Sequence, residues 1–261
     1  MTNDEIFLNE AHIAEFGKFM KAIIPAAGYA TRLYPLTENM PKALLPVGGR
    51  PMLSRIVDKI NEITEVDEIV IVSNDRFASH FTKWAQTAMT DKNIHVINDG
   101  TKSDNDRLGT IGDIALAVQA KNINENLLIV GGDNLFEFSI TDFVDFARKN
   151  NSSALAVFDI KNLPLASQFG VVTLDTSQKI VNFIEKPTQP RSSLVATLCY
   201  FLKKEDVALI GQYLKEGNKP DRAGDFIAWL HKKSPVYGFS FSGNWFDIGT
   251  PEQYENVCKL F

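Results

Sequence analysis

No stretch of this chain approaches the roughly 18 consecutive apolar residues of a helical membrane span. An excess of positive charge is also missing. Lysine and arginine number 27 against 32 aspartates and glutamates, a net charge of −5, which argues against a general nucleic-acid or anionic-membrane binder. Cysteine is scarce. Cys199 and Cys258 are the only two; they lie far apart in apolar stretches and read as buried free thiols of a reducing cytoplasm, not as a disulfide framework or a zinc site. The four histidines (His12, His80, His95, His231) are scattered and suggest no dyad that could activate a nucleophile. Glycine fingerprints are lacking as well. Gly28-Tyr29-Ala30-Thr31-Arg32-Leu33 holds one glycine, so G-x-G-x-x-G fails, and no Gly-Lys-Ser/Thr follows to make a P-loop. A dinucleotide-binding enzyme would also want an acid after its second strand, where Ser73 and Asn74 stand.

What is present is an apolar share of 44% in 261 residues with 23% charged, enough for one large α/β core. Residues 1–19 mix Asp4, Glu5, Glu10 and Glu15 with Ile6, Phe7, Leu8, Ile13 and Phe16. They lack the basic start and clean apolar run of a signal peptide, so an N-terminal extension and a cytoplasmic protein are expected. From residue 20 to 261 no linker, repeat or low-complexity tract interrupts the pattern, which predicts a single domain.

Short apolar runs alternate with helical patterns in the first half. Strands are expected at Lys21–Pro25, Glu68–Ser73, Asn93–Asn98 and Asn126–Gly131, with helices at Pro51–Ile63, Arg76–Met89 and Thr110–Lys121. Ser139 and Asp142 suggest a capped helix to about Lys149. Closely spaced β-rich runs follow at Ala154–Ile160, Phe169–Leu174, Lys179–Ile184 and Ala196–Phe201, then helices at Glu205–Glu216 and near Gly224–Lys233. A last strand pair, Val236–Phe241 and Asn244–Ile248, leads into a helix capped by Thr250, with Pro251 at its first position and Gln253 at its third. The expected architecture is a Rossmann-like three-layer sandwich with a mostly parallel central sheet and a small antiparallel β lobe.

The chemistry concentrates in a few places. After the strand ending at Pro25, the small residues Ala26-Ala27-Gly28 let backbone N–H groups approach a polyphosphate. Arg32 then offers a flat fork for phosphate oxygens, and Lys42 a mobile point charge. Leu127-Leu-Ile-Val-Gly-Gly132-Asp133-Asn134 ends an apolar strand in an acid, at the edge where ligands bind in open α/β sheets. A second acid, Asp247, lies in Asn244-Trp-Phe-Asp247-Ile-Gly249-Thr250-Pro251. Taken alone, each acid can also be read as a turn or cap residue, and their spacing does not pair them.

Together with "TRLYPLT" and "PKALLPV", these segments resemble sugar-phosphate nucleotidyltransferases, the NDP-sugar pyrophosphorylases. Ile184-Glu185-Lys186-Pro187 is similar to that family's E-K-P segment, and Phe169-Gly170-Val171-Val172 to its Y-G-V-V. The resemblance covers nearly the whole chain from Met20 and implies transfer of NMP from an NTP to a sugar 1-phosphate, releasing pyrophosphate. It implies that Arg32 and Lys42 are catalytic, that Ala27, Gly28 and Gly109 bind the nucleotide, and that Gly170, Glu185 and Lys186 bind the sugar phosphate. It further implies Mg²⁺ on Asp133 and Asp247. UTP or dTTP is the implied donor, and members of that family often assemble as homo-oligomers.

Several positions depart from the family's pattern. Ala30 replaces a glycine, and its methyl is tolerable only if its φ stays below zero. Leu198 stands where a glycine near the sugar is common. A polar insert, Asp99–Asp106, follows Asn98 ahead of Arg107-Leu-Gly109-Thr110-Ile-Gly-Asp113, where Asp113 reads as the partner of an N-cap Thr110. A non-sugar acceptor such as phosphocholine and a non-catalytic sugar-nucleotide sensor are the alternatives.

Overall fold

The computed structural model describes residues 19–261; all but the last residue of the expected N-terminal extension lies outside the described residues. In chain order the elements begin with β1 (Met20–Pro25), a small ribbon of β2 (Pro46–Val47) and β3 (Arg50–Pro51), α1 (Met52–Asn61), β4 (Val66–Ser73) and α2 (Ala78–Ala85). There follow β5 (Asn93–Asn98), α3 (Thr110–Ala120), β6 (Asn126–Val130), β7 (Asn134–Phe136), α4 (Ile140–Lys149) and β8 (Ser153–Asp159). Next come the single turn α5 (Leu163–Ala166), β9 (Gly170–Leu174), β10 (Ile180–Glu185) and β11 (Leu194–Leu202). The last are α6 (Lys204–Lys215), α7 (Ala223–Leu230), β12 (Val236–Phe241), β13 (Trp245–Asp247) and α8 (Pro251–Cys258).

Strands β6, β1, β4 and β5 lie side by side and parallel. Such strands are covered on both faces, which is why Ile69-Val-Ile-Val72 of β4 is apolar without alternation and fully buried. One apolar core holds α1, α2 and α4 against the sheet, and a second holds α3, α6 and α7 against its other face, giving the three layers. Helix α1 turns Met52, Leu53, Ile56, Val57 and Ile60 inward, an i, i+3, i+4 face on which each side chain contributes about 1.5–3 kcal/mol. The expected antiparallel lobe is continuous with this sheet: β11 runs antiparallel along β6 and pairs with β8 and β9, and β9 carries β10 at the edge.

Two sequence expectations are corrected. The final strands do not pair with each other. Strand β12 runs parallel to β8, whereas β13 crosses to pair antiparallel with β7. The separating turn contains Gly243 at φ 97 and is tied to the end of β7 by the Glu137 carboxylate, which accepts from Asn244 N at 3.0 Å and Asn244 Nδ2 at 2.9 Å. Of the two thiols, Cys199 is buried but Cys258 only partly so, because it ends a helix packed on the surface by one face. The cap of that helix is as expected, with Thr250 Oγ1 accepting from Gln253 N at 3.2 Å. No described helix is long and apolar enough to cross a membrane.

Candidate active site

The loop leaving β1 is fixed by polar contacts with the segments that follow β4 and β5. Asn74, buried at the end of β4, donates from Nδ2 to Ala27 O at 2.7 Å, and Tyr29 Oη donates to Thr101 O at 2.9 Å. Beyond them Ala30 adopts φ 49, ψ 41, so the expectation of a negative φ is overturned. The conformation is imposed from both sides: Ala30 O accepts from Thr37 Oγ1 at 2.8 Å and from Leu33 N at 2.9 Å, opening the short 3-10 turn Thr31–Leu33. That turn carries Arg32.

A second 3-10 turn, Lys42–Leu44, presents Lys42 to the end of β6. Lys42 Nζ donates to Asp133 Oδ2 at 2.6 Å. The other carboxylate oxygen accepts from Asn134 Nδ2 at 2.9 Å, and Asn134 Oδ1 accepts from Trp245 Nε1 at 2.8 Å. The β7–β13 ladder sets Asp247 directly opposite Asn134, which brings the two acids together across a long sequence separation.

The two carboxylates have different electrostatic situations. Burial works against ionisation of Asp133, but the Lys42 ammonium outweighs it and holds the carboxyl below its ordinary range. Burial, reinforced by the Asp133 charge, pushes Asp247 up to about 6, with Lys42, Lys186 and Arg32 pulling the other way. Among the described residues no side chain donates a hydrogen bond to the Asp247 carboxylate. Like charges held this close favour either a proton or a cation between them.

Two cavities meet here. One, of about 230 Å³, is walled by Ala27, Gly28, Lys42, Thr110, Asp113 and Asp133. The other, of about 430 Å³, is walled by Arg32, Asp133, Gly170, Glu185, Lys186 and Asp247. They share Thr110, Asp133 and Leu198. A separate cavity of about 290 Å³ behind the β7–β13 ribbon, between Arg55 and Phe261, contains none of the expected site residues.

In the larger cavity Glu185 lies between two glycines. A Cβ on Gly224 would stand 1.9 Å from Glu185 Oε2, and one on Gly170 2.9 Å from the same atom. Burial raises the Glu185 carboxyl above its ordinary range, with Lys186 opposing. Lys186 itself sits at φ 47, turning the chain at the end of β10.

Nine of the ten residues singled out in the sequence therefore line the two adjoining cavities. Gly109 does not. At φ 81 it is covered by Asp221, whose Cα would be 2.5 Å from an added Cβ, and its neighbour Thr110 reaches the wall instead. Thr110 is not an N-cap either. Helix α3 starts at Thr110, and the N–H groups of Thr110 and Ile111 go to Asp221 O and Pro220 O at 3.1 and 2.8 Å. Residues missed in the sequence are Asn134 and Trp245, which tie the acids to the larger cavity, Arg222 at the mouth of α7, and Asp113. Asn134 and Trp245 sit inside the quoted motifs, and Arg222 precedes the small pair Ala223-Gly224 at a helix start, a signal that could have found it.

The sequence model of the family described as Nucleotidyl transferase matches residues 21–260. The Bifunctional protein GlmU of Methanococcus aeolicus is 31% identical over 89% of this chain and 52% of its own length. That of Methanocaldococcus jannaschii is 30% identical, again over 89% of this chain and 52% of its own. The chain thus spans about half the length of these curated relatives. A solved structure of UDP-glucose pyrophosphorylase complexed with UDP-glucose shares the fold, with a TM-score of 0.79 at 20% identity over 93% of this chain and 98% of that one.

Proposed function

The chain belongs to the nucleotidyl transferase family, and from that premise we propose that it transfers a nucleoside monophosphate from an NTP to a sugar 1-phosphate, giving an NDP-sugar and pyrophosphate. The observation that carries this reading is the convergence of Asp133 and Asp247 with the cations Arg32, Lys42 and Lys186 around one cleft. The resemblance to sugar-phosphate nucleotidyltransferases implies UTP or dTTP as donor.

The donor set suits Mg²⁺. Among the described residues no group of three histidine, cysteine or acidic side chains gathers to hold a metal, so the protein offers an isolated pair of carboxylates, one of them without a hydrogen-bond donor. Mg²⁺ accepts few protein oxygens and completes its shell with phosphate and water. Asp133 and Asp247 would hold it, and when bound it supplies charge neutralisation at the α-phosphate.

The attacking group is a phosphate monoester, already ionised at neutral pH, so no side chain has to remove a proton. A sugar-phosphate oxygen forms a bond to the α-phosphorus while the bond to the bridging β-phosphate oxygen breaks, and pyrophosphate leaves with that electron pair. The side chains have to hold the partners in line and balance the charge. Ala27 and Gly28 present open backbone to the triphosphate. Arg32 and Lys42 stabilise the departing pyrophosphate, and Lys186 orients the incoming phosphate. Glu185, confined by Gly170 and Gly224, accepts from sugar hydroxyls, which favours a polyhydroxylated acceptor over phosphocholine.

The test is a pyrophosphate-release screen of the common NTPs against several sugar 1-phosphates with Mg²⁺. Release that requires one particular pair of substrates supports the reading. Silence across the panel, with the protein folded, removes it in favour of a sugar-nucleotide sensor.

A further inference from the structure

Strand β13 carries Trp245 and Asp247 two residues apart, and alternation along a strand puts both side chains on one face of the β7–β13 ribbon. Trp245 lies opposite Phe136 and Asp247 opposite Asn134, so the indole reaches Asn134 diagonally across the ribbon. Asn134 is 4% exposed, and both ends of its amide are engaged. Its Nδ2 donates to Asp133 Oδ1 at 2.9 Å, and its Oδ1 accepts from Trp245 Nε1 at 2.8 Å. Gly131 leaves the room for this pair: a Cβ there would stand 2.7 Å from Asn134 Nδ2 and 3.1 Å from Asp133 Oδ1.

The direction of this chain of hydrogen bonds is decided at its far end. An indole N–H can only donate, whereas an amide can present either its oxygen or its NH₂. Trp245 therefore takes the Asn134 oxygen, which turns the NH₂ toward Asp133. The reverse orientation would set N–H against N–H at Trp245 and oxygen against carboxylate at Asp133, two unpaired contacts in a buried place. Asp133 Oδ2 accepts from Lys42 Nζ at 2.6 Å, so the carboxylate is held at both oxygens, each of which keeps a further lone pair. The indole is itself held, with ring centroids 5.4 Å from Phe169 and 5.8 Å from Phe158.

We infer that Trp245 is a positioning residue for the pair of acids: acting through Asn134, it orients Asp133 to share a divalent cation with Asp247. This rests on the nucleotidyl-transfer reading, in which those two acids would hold Mg²⁺. A group that hydrogen-bonds a metal-binding carboxylate fixes its direction, and losing such a group costs about 10–100-fold in metal affinity.

The experiment measures Mn²⁺ binding to the whole protein, without nucleotide or sugar phosphate, from the EPR signal of the free ion. Trp245→Phe keeps an aromatic ring against Phe158 and Phe169 and deletes the N–H; it is expected to bind Mn²⁺ about tenfold more weakly. Asn134→Leu should lose at least as much. The double variant should bind no more weakly than Asn134→Leu alone, because the indole acts only through the amide. Losses that add would show that Trp245 merely packs, and would overturn the inference, as would an unchanged affinity in Trp245→Phe. A second readout leaves Trp245 in place and serves if its variant fails to fold. The indole N–H resonance of Trp245 is expected to shift when Mg²⁺ is added to the wild type and to stay put in Asn134→Leu. A wild-type signal indifferent to Mg²⁺ also overturns the inference. So does the absence of Mn²⁺ binding by the wild type, and pyrophosphate release would then leave the transfer reading standing. If neither binding nor release is seen, both fail.

Discussion

Lys42 Nζ lies 2.6 Å from Asp133 Oδ2, so a cation proposed to serve phosphate is also the counter-charge of an acid proposed to serve a metal. Both roles pass through one contact. Lys42→Ala is expected to lower turnover by roughly 10²–10³-fold, the scale set by loss of a single stabilising donor, while the fold persists. Without the ammonium, burial is opposed only by the weaker hydrogen bonds from Asn134 and the backbone, and the Asp133 pKa rises. The residual activity should accordingly fall off at a higher pH on the acid side than in the wild type. A pH–rate profile of the variant checks this; an acid limb at an unchanged position would separate the two residues.

The confinement of Glu185 makes a second, local prediction. A methyl on Gly224 would stand 1.9 Å from Glu185 Oε2, so Gly224→Ala must displace that carboxyl from its position. The KM for the sugar phosphate should rise about tenfold or more, while affinity for the NTP stays unchanged. Equal loss in both would place Glu185 outside the acceptor side of the cleft.

The buried Asp113 carboxyl makes a prediction about stability. Burial raises its pKa in the folded protein to about 8, well above the ordinary carboxylic-acid value of 3.8, so between those values the native state binds a proton that the unfolded chain has released. Stability from this group is present below the lower value and is lost as pH rises through the upper one, on the order of a few kcal/mol. Urea midpoints at about pH 5 and about pH 9 should therefore fall further for the wild type than for Asp113→Asn. A parallel fall in the two proteins would show that Asp113 titrates normally.

The contrast between what the sequence revealed and what it concealed is itself physical. Strand β5 begins and ends at Asn93 and Asn98 as expected, because its boundaries are marked by polar residues around an apolar run. The Ser139 cap is present, its hydroxyl accepting from Asp142 N at 3.1 Å, since a cap needs only neighbours in sequence. The β7–β13 ribbon was not legible. Each strand is three residues long, too short to show alternation, and its pairing depends on a contact between Glu137 and Asn244 that no local pattern encodes. The same holds for Asp113: the spacing of a cap partner and of a buried acid are identical on the page, and only the Pro220–Asp221 carbonyls decide between them.

Ala30 supplies the last prediction. At φ 49 and ψ 41 its methyl is held in the left-handed region, which costs an L-residue about 1–2 kcal/mol relative to glycine there. Glycine in turn loses more conformational freedom on folding, about 0.4–1 kcal/mol relative to alanine. The strain is the larger of the two, so Ala30→Gly should stabilise the protein by up to about 1 kcal/mol, a rise of about 2–4 °C in Tm for a chain of this size. A β-branched residue meets the same backbone with more bulk, and Ala30→Val should lower Tm. Because Ala30 opens the turn that carries Arg32, the valine variant should also lose turnover, whereas the glycine variant should keep it. Thermal melts of the three proteins decide the sign, and a lower Tm for Ala30→Gly would mean that the Thr37 and Leu33 hydrogen bonds to Ala30 O set this conformation with no strain to relieve.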